Sequence, residues 1–221
     1  MDIIDIIGPV MIGPSSSHTA GAVRLGRMAA GVLGAQPVKA EICLHGSFAE
    51  TYKGHGTDMA LLAGLMGWET FDERIPEAEA YAKKAGMEYS FQKVDLGSMT
   101  HPNTALFHLE DAAGNKCEVS GASIGGGQVR ITSIDGFDVE LTGRLPAILT
   151  VHEDVRGVIA LVSGTLANIG VNIATMRVFR HNKGGTASMV VECDDKVPQV
   201  IVDLIGAFPQ VRSVRFINSV L

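Results

Sequence analysis

Apolar residues recur at intervals of three and four over residues 17–33, which predicts a helix with one buried face. Three serines precede the apolar pattern, and serine is a favourable N-cap. Similar spacing predicts helices over residues 58–66 and 77–85, the second of which ends at Gly86. Between the first two helices, residues 38–44 alternate apolar and polar side chains, which indicates a half-buried strand.

Beyond residue 100 the pattern changes to short strand-like runs that are separated by turn signals rich in glycine. The predicted strands cover residues 104–110, 116–120, 128–134 and 137–141. Helices and strands in this mixture predict an N-terminal α/β domain, which we place at residues 1–143.

Residues 147–221 predict a second domain in which a strand and a helix are followed by two strands, a helix and a strand. These elements are predicted over residues 147–151, 158–167, 172–180, 186–193, 199–207 and 211–217. The order βαββαβ is that of the ferredoxin-like split unit. Residues 181–185 have the composition of a hairpin turn between its central strands. The whole chain is therefore predicted to be an α+β protein with a boundary at residues 143–146.

Composition and charge argue against nucleic acids and membranes as partners of this protein. Hydrophobic residues make up 46% of the chain and charged residues 19%, which is a globular profile. The net charge is −6, whereas nucleic-acid binding depends on clustered lysine and arginine, so we expect no nucleic-acid partner. An apolar stretch at residues 1–14 is interrupted by Asp2 and Asp5, which is unlike a secretory signal. A membrane span needs a run of roughly 18 apolar residues, and the sequence contains none. We therefore expect a cytoplasmic protein without a membrane partner.

The three cysteines are Cys43, Cys117 and Cys193. They are far apart and odd in number, which suits neither a disulfide framework nor a local metal site. We therefore expect them to be small buried side chains, and we predict no metal ligand in this chain.

Residues 13–21 place three serines, His18 and Thr19 at the start of the first helix. Free backbone amides and the helix dipole favour an anion there, so a small carboxylate could bind. The alternative is that the serines only cap the helix. Arg24 and Arg27 share one helical face, where they either attract an anionic substrate or are solvated.

Read together with three further segments, this run resembles the β region of the iron-sulfur L-serine dehydratases, whose hallmark is Gly-Pro-Ser-Ser-Ser-His-Thr. The hallmark stands at residues 13–19. Residues 46–51 with 54–58, residues 101–104 and residues 123–127 also look like that family. The resemblance covers essentially the whole chain, and four motifs in the same order are far more specific than one.

The resemblance implies an enzyme that converts L-serine to pyruvate and ammonia. In the family, a [4Fe-4S] cluster with one iron that lacks a protein ligand binds the substrate as a Lewis acid. The cluster-binding pattern belongs to an α region that this sequence does not match, so the resemblance implies a partner α chain that carries the cluster. Pyridoxal phosphate, which an unrelated class of serine dehydratases uses, requires a lysine. No lysine is among the residues that carry the four motifs, and we predict that this cofactor is not used.

Histidine is the side chain best suited to exchange protons near neutral pH, and three histidines fall inside the four motifs. We take His55 and His18 first, and His101 after them, as candidate catalytic residues. Taken singly, a histidine in a loop is more often structural or solvated, and only their shared place in the four motifs makes a catalytic role as good an explanation. The candidate substrate-binding residues are Ser15, Ser16, Ser17, Thr19, Asn103 and Thr104. Residues 125–127 either let a ligand approach the backbone or form a plain turn.

The segment that begins at His152 resembles an ACT domain, in particular the serine-sensing ACT domain of phosphoglycerate dehydrogenase. His152, Gly157 and Asn172 match that motif, whereas Asp154 replaces an asparagine and Arg156 replaces the usual proline. The resemblance makes the first three residues and Asp154 candidate effector-binding residues. A carboxylate at position 154 would favour an ammonium group and repel a carboxylate.

The ACT-like domain leaves two roles open, which are regulation by an amino acid and assembly. We expect a homodimer through this domain, because helix faces with Val158, Leu161 and Val162 offer apolar surface to bury. The first domain is similar, at the level of fold only, to the intervening domain of phosphoglycerate dehydrogenase. The alternative to a lyase subunit is a stand-alone module that senses amino acids or hydroxy acids without catalysis.

Overall fold

The computed structural model describes residues 9–180 and 182–220. The chain divides into two compact units, of which one ends at Gly136 and the other begins at Phe137. The domain limits predicted from the sequence, 1–143 and 147–221, stay a prediction. Part of the apolar N-terminal stretch, residues 1–8, and His181 of the expected hairpin turn lie outside the described residues. None of the described helices is long and apolar enough to cross a membrane.

The first unit begins with one turn of π-helix, Ser16–Ala20, which continues directly into helix α1. Its other helices include a short 3₁₀ turn, Ile75–Glu77. The α-helices are α1 (Gly21–Leu33), α2 (Gly46–His55), α3 (Thr57–Leu65) and α4 (Ala78–Lys84). The strands are β1 (Pro37–His45), β2 (Glu88–Val94), β3 (Thr104–Asp111), β4 (Lys116–Gly125) and β5 (Gln128–Ile134).

These strands lie in the order β2-β1-β3-β4-β5. Strand β1 pairs with β2 in parallel, which requires a crossover, and helices α2 to α4 form it. The other neighbours pair antiparallel. Helix α1 packs against β4 and β5 on one side and against α3 on the other. The largest side chains of the core are fully buried, among them Phe48, Phe107, Leu25, Met28 and Ile42.

Two elements of this unit were absent from the sequence-based prediction. Helix α2 occupies the second motif, where glycines and polar residues give only a weak apolar pattern; Phe48 and Ala49 are its buried residues. Strand β2 lies at the edge of the sheet and carries mostly polar side chains, so burial imposes little alternation on it. His55 is therefore the last residue of a helix.

Helices α1 and α3 approach each other so closely that only glycine fits at their contact. A Cβ atom on Gly64 would lie 2.1 Å from the carbonyl oxygen of Val23. A Cβ atom on Gly26 would lie 2.4 Å from the carbonyl oxygen of Leu61. Because these neighbours are backbone atoms, no side-chain rotation could relieve the overlap. The contact fixes α3, and the α2–α3 turn before it, against α1.

The second unit begins with strand β6 (Phe137–Leu141). Its remaining elements are β7 (Ala147–Glu153), α5 (Val158–Asn168), β8 (Ile173–Arg180), β9 (Thr186–Cys193), α6 (Gln199–Gly206) and β10 (Val211–Ile217). The last four strands form an antiparallel sheet in the order β10-β7-β9-β8. This confirms the predicted ferredoxin-like βαββαβ order and, with the first unit, the α+β class.

The core of the second unit includes two residues that the sequence had offered for a dimer interface. Val158 and Val162 are 1% and 0% exposed and pack against Ile148 and Met189 of the sheet. The expectation that they lie on a free face is therefore wrong, because the apolar stripe of α5 that contains them faces its own sheet. Leu161 is 41% exposed, so it remains accessible for a dimer interface.

Candidate functional site

The first motif, residues 13–21, folds into a capped turn that presents His18. Ser15 has extended backbone angles, and its Oγ accepts a hydrogen bond from the backbone N–H of His18 at 3.2 Å. The hydroxyl of Ser15 therefore caps the turn, as one of the two interpretations of the serines predicted. Ser16 and Ser17 are half-buried, and Thr19 is buried.

The second motif is residues 46–51 with 54–58, the third is residues 101–104 and the fourth is residues 123–127. The imidazole of His18 contacts the second motif. Its Nε2 lies 3.2 Å from Oγ of Ser47, the second residue of α2. Its ring centroid lies 4.9 Å from that of His55 at the other end of the same helix. The rings of His18 and Phe48 pack edge to face, with 5.2 Å between their centroids. The structure thus brings together the two histidines that the sequence placed first.

The hydrogen bond of His55 determines which of its nitrogen atoms can accept a proton. Nδ1 of His55 lies 3.4 Å from the carbonyl oxygen of Thr51, one helical turn earlier. Since a carbonyl only accepts, Nδ1 carries the proton of the neutral ring and Nε2 is left as the acceptor. The side chain of His55 is exposed, so this acceptor is open to a ligand.

Burial lowers the pKa of His18 below the ordinary value for histidine, and the neighbouring His55 lowers that pKa further. A neutral imidazole is therefore favoured at position 18 near neutral pH.

We expect His55→Gln to raise the pKa of His18 but to leave it below about 6.5, the ordinary histidine value, because burial is the larger cause. NMR titration of the imidazole resonances in the two proteins measures both values. An unchanged pKa for His18 would show that the two rings are not electrostatically coupled.

A cavity of about 320 Å³ lies beside this pair. His55 and Thr19 supply polar groups to it, and Ile12, Met59 and Ile75 supply apolar walls. Oγ1 of Thr19 is buried and has no hydrogen-bond partner within residues 9–180 and 182–220. The volume is at the lower end of the range for small-molecule sites.

The third motif packs against the second and is tied to the fourth. The carbonyl oxygen of Pro102 accepts a hydrogen bond from the backbone N–H of Phe48, and a Cβ atom on Gly46 would lie 2.7 Å from Pro102. Gly46 has a φ of 57°, which glycine adopts readily. The backbone N–H of Ser123 donates to the carbonyl oxygen of Asn103 at 3.0 Å.

The fourth motif contacts the first motif. A Cβ atom on Gly21 would lie 2.1 Å from Oγ of Ser123, which is buried and unpartnered among the described residues. Each motif therefore contacts two others, so that the four form a closed ring. The contacts of Ser47 and Ser123 in this ring were not predicted, because each joins residues that are far apart in sequence.

The remaining first-unit candidates anchor the third motif. His101 is exposed, and its Nδ1 accepts from the backbone N–H of Asn103 at 3.1 Å. The side-chain amide of Asn103 lies 3.5 Å from the carbonyl oxygen of Ser123. The hydroxyl of Thr104 donates to the carbonyl oxygen of His101 at 2.7 Å. The assignment of these residues to catalysis and substrate binding stays a prediction.

The glycine run of the fourth motif is the turn between β4 and β5. Residues 125–127 all have positive φ, so the turn itself requires glycine. The carbonyl oxygen of Gly127 accepts from Nη1 of Arg24 at 2.6 Å, and burial lowers the pKa of Arg24. Arg24 is thus a bound and partly buried side chain, whereas Arg27 pairs with Glu69.

In the second unit, two of the candidate effector-binding side chains already have partners. The carboxylate of Asp154 accepts from the backbone N–H of Gly184 and from Arg180, and these contacts lower its pKa. The amide of Asn172 donates to Asp194 at 2.6 Å.

The other two candidates differ in exposure and shape. His152 is buried, with Nδ1 bonded to the carbonyl oxygen of Glu153 and with Nε2 unpartnered in the described part of the chain. Gly157 has a φ of 96° and caps α5, and none of the described atoms lies within 4 Å of a Cβ atom built on it. Effector binding by these four residues stays a prediction.

Comparison with known proteins agrees with the motifs. Residues 2–134 match the family model of the serine dehydratase beta chain. The chain is 46% identical to the probable L-serine dehydratase beta chain of Bacillus subtilis over 96% of each chain. It is 35% identical to the L-serine dehydratase beta chain of Peptoniphilus asaccharolyticus, over 97% of this chain and 96% of that one. The chain belongs to the serine dehydratase beta chain family.

A second group of relatives is also similar to this chain over part of their length. D-3-phosphoglycerate dehydrogenase of a Synechocystis strain is 28% identical over 86% of this chain and 34% of that protein.

Proposed function

We propose that this chain is the β chain of a two-chain L-serine dehydratase, which converts L-serine to pyruvate and ammonia. The observation that carries the proposal is the contact of His18 with Ser47 and His55 beside a cavity. All three residues stand in motifs of the family. The relatives named as L-serine dehydratase beta chains add support.

The reaction must remove a weakly acidic α-proton and expel hydroxide, a poor leaving group. A base and an electrophile must therefore act together. His55 is the first candidate base, because its Nε2 is free to accept and its side chain lines the cavity. His18 is the second, because its lowered pKa favours the neutral ring. Thr19 offers a hydroxyl that has no hydrogen-bond partner among the described residues and that could hold the substrate.

The cysteines of this chain do not fit an iron-sulfur cluster. Cys43 lies opposite Leu106 and Cys117 opposite Leu109, so the two thiols point to opposite faces of the first sheet. Cys193 is in the core of the second unit. Clusters are held by several convergent thiolates, a set that the described residues do not supply. We therefore assign the cluster ligands to a separate α chain.

We predict that the isolated chain is colourless and makes no pyruvate from L-serine. Anaerobic reconstitution with a candidate α chain should give both a cluster and pyruvate formation. Iron and sulfide analysis together with a pyruvate assay measures the two properties. A brown preparation of the isolated chain, with several thiolate-bound irons, would contradict the prediction.

The same experiment tests the competing function. A stable homodimer that binds L-serine unaided, and that gains no activity with an α chain, would instead indicate a sensing module. Assembly through the second unit remains a proposal that fits either function. Its edge strand β8 leaves Val178 39% exposed, and α5 leaves Ile159 and Leu161 accessible.

A further inference from the structure

Three potential metal ligands converge on the solvent-facing side of the first sheet. Glu41 in β1 lies directly opposite His108 in β3, and Cys43 follows Glu41 by two residues on the same face. One ligand atom from each of these residues lies within 4.8 Å of the other two. Sequence analysis did not indicate this group, because its members come from separate strands and only the register of β1 with β3 brings them together.

The distance between the sulfur and oxygen ligands is close to that in a tetrahedral zinc site. Zinc–sulfur and zinc–oxygen bonds of the usual lengths place two such ligands about 3.6 Å apart. Sγ of Cys43 lies 3.9 Å from Oε1 of Glu41. The ligand atoms of the other two pairs lie within 4.8 Å of each other, so side-chain rotation must bring them closer for all three to bind one ion. A set of one sulfur, one nitrogen and one oxygen favours Zn²⁺ over the hard ions Ca²⁺ and Mg²⁺.

Neighbouring polar side chains hold two of the ligands in place. Nδ1 of His108 lies 3.5 Å from Oε2 of Glu118, its cross-strand neighbour in β4. Nε2 of Gln92 donates to Oε1 of Glu41 at 3.0 Å. Carboxylates that orient a histidine in this way are a recurring feature of zinc sites.

The surroundings of the group suit a cation. A cavity of about 410 Å³ is lined by Glu41 and His108, so an ion can reach these two ligands from solvent; Cys43 lies beneath them and does not line it. Glu110, Glu118 and Asp135 also line this cavity; its two lysines are Lys39 and Lys116, and Lys116 pairs with Glu110. Burial, and then Glu41, raise the pKa of Cys43, so the free thiol is protonated and metal binding would release its proton.

We propose that Glu41, Cys43 and His108 form a zinc-binding site that joins β1 to β3. The site uses none of the residues that we assign to the serine reaction. It departs from the sequence-based prediction that this chain holds no metal ligand. A bound ion would cross-link the sheet from the face opposite Ile42 and Phe107, two of the largest buried core residues.

Titration of the isolated full-length chain with Co²⁺, under a non-thiol reductant, tests the site. We expect one equivalent to bind and to give the thiolate-to-cobalt charge-transfer band of a sulfur ligand, and Zn²⁺ to displace it. Cys43→Ser should abolish the band. Cys193→Ser is the matched control, because it removes another buried thiol and should leave the band intact.

Two variants with exposed or half-buried side chains keep the test decisive if Cys43→Ser does not fold. His108→Gln should also lose the site, and Glu118→Gln should weaken zinc binding by roughly 10–100-fold, the scale for losing an orienting partner. A chromophoric chelator in competition measures the affinity. The absence of a charge-transfer band, or a band that survives Cys43→Ser or His108→Gln, would overturn the proposal. Neither result depends on lyase activity.

Discussion

In the reconstituted two-chain enzyme, His55→Ala and His18→Ala are each expected to lower the turnover number by roughly 10²-fold or more, the usual scale for loss of a general acid or base. Nε2 of His55 is the free acceptor at the cavity, since its Nδ1 faces the carbonyl oxygen of Thr51. The neutral ring of His18 lies beside it. Steady-state pyruvate formation measures the effect.

Cluster content and association with the α chain are the controls, and both should remain near the values for the unaltered enzyme. His55 is exposed, and its loss removes little from the core. His101→Ala should reduce turnover less, because the ring of His101 is tied to its own loop through Asn103. If both His18→Ala and His55→Ala keep near-normal turnover, the base belongs to the α chain.

Ser47→Ala separates positioning from proton transfer. Ser47 contacts Nε2 of His18 and is half-buried, so its removal should change the orientation of that ring while leaving His55 in place. We expect a smaller fall in turnover than for His18→Ala, together with a shift in the pH profile. An unchanged pH profile would mean that Ser47 has a purely structural role.

Sequence analysis found mainly those elements in which burial requires apolar side chains at regular intervals. Helix α1 has an apolar face, and β1 carries apolar side chains at alternate positions over residues 38–44. Both were found within a few residues of their observed ends. The six elements of the ferredoxin-like unit were also found, although strand β8 is largely exposed and its burial does not alternate. Helix α2 and strand β2 were missed because a motif helix rich in glycine and a polar edge strand carry little periodic signal.

The candidate site was predictable as a set of residues but not as an arrangement. Family motifs pointed to His18 and His55, whereas the contact of His18 with Ser47 joins residues that are 29 positions apart in sequence. Arg24 reaches Gly127 across 103 residues, which no local pattern could indicate. The role of Ser15 as a cap was foreseen, because capping depends only on the next few residues.

The glycine contact between α1 and α3 connects the fold to the site. Gly64→Ala is expected to lower the free energy of unfolding of the first unit by about 1–3 kcal/mol, the usual cost of overpacking. The added methyl group would lie 2.1 Å from the carbonyl oxygen of Val23 and 2.9 Å from the backbone nitrogen of Arg27, so the helices must separate. The fluorescence of Trp68, the single tryptophan, reports unfolding of this unit.

Gly54→Ala in α2 is the matched control for this substitution. Gly54 is exposed, and apart from its chain neighbours and the backbone of its own helix, none of the described atoms lies within 4 Å of a Cβ atom built on it. Alanine there should leave stability unchanged or raise it by up to about 1 kcal/mol, because alanine favours the helix. Equal stability of the two variants would contradict the close contact of α1 with α3. Because α3 follows His55 directly and α1 follows His18, separating the two helices should also lower turnover in the two-chain enzyme.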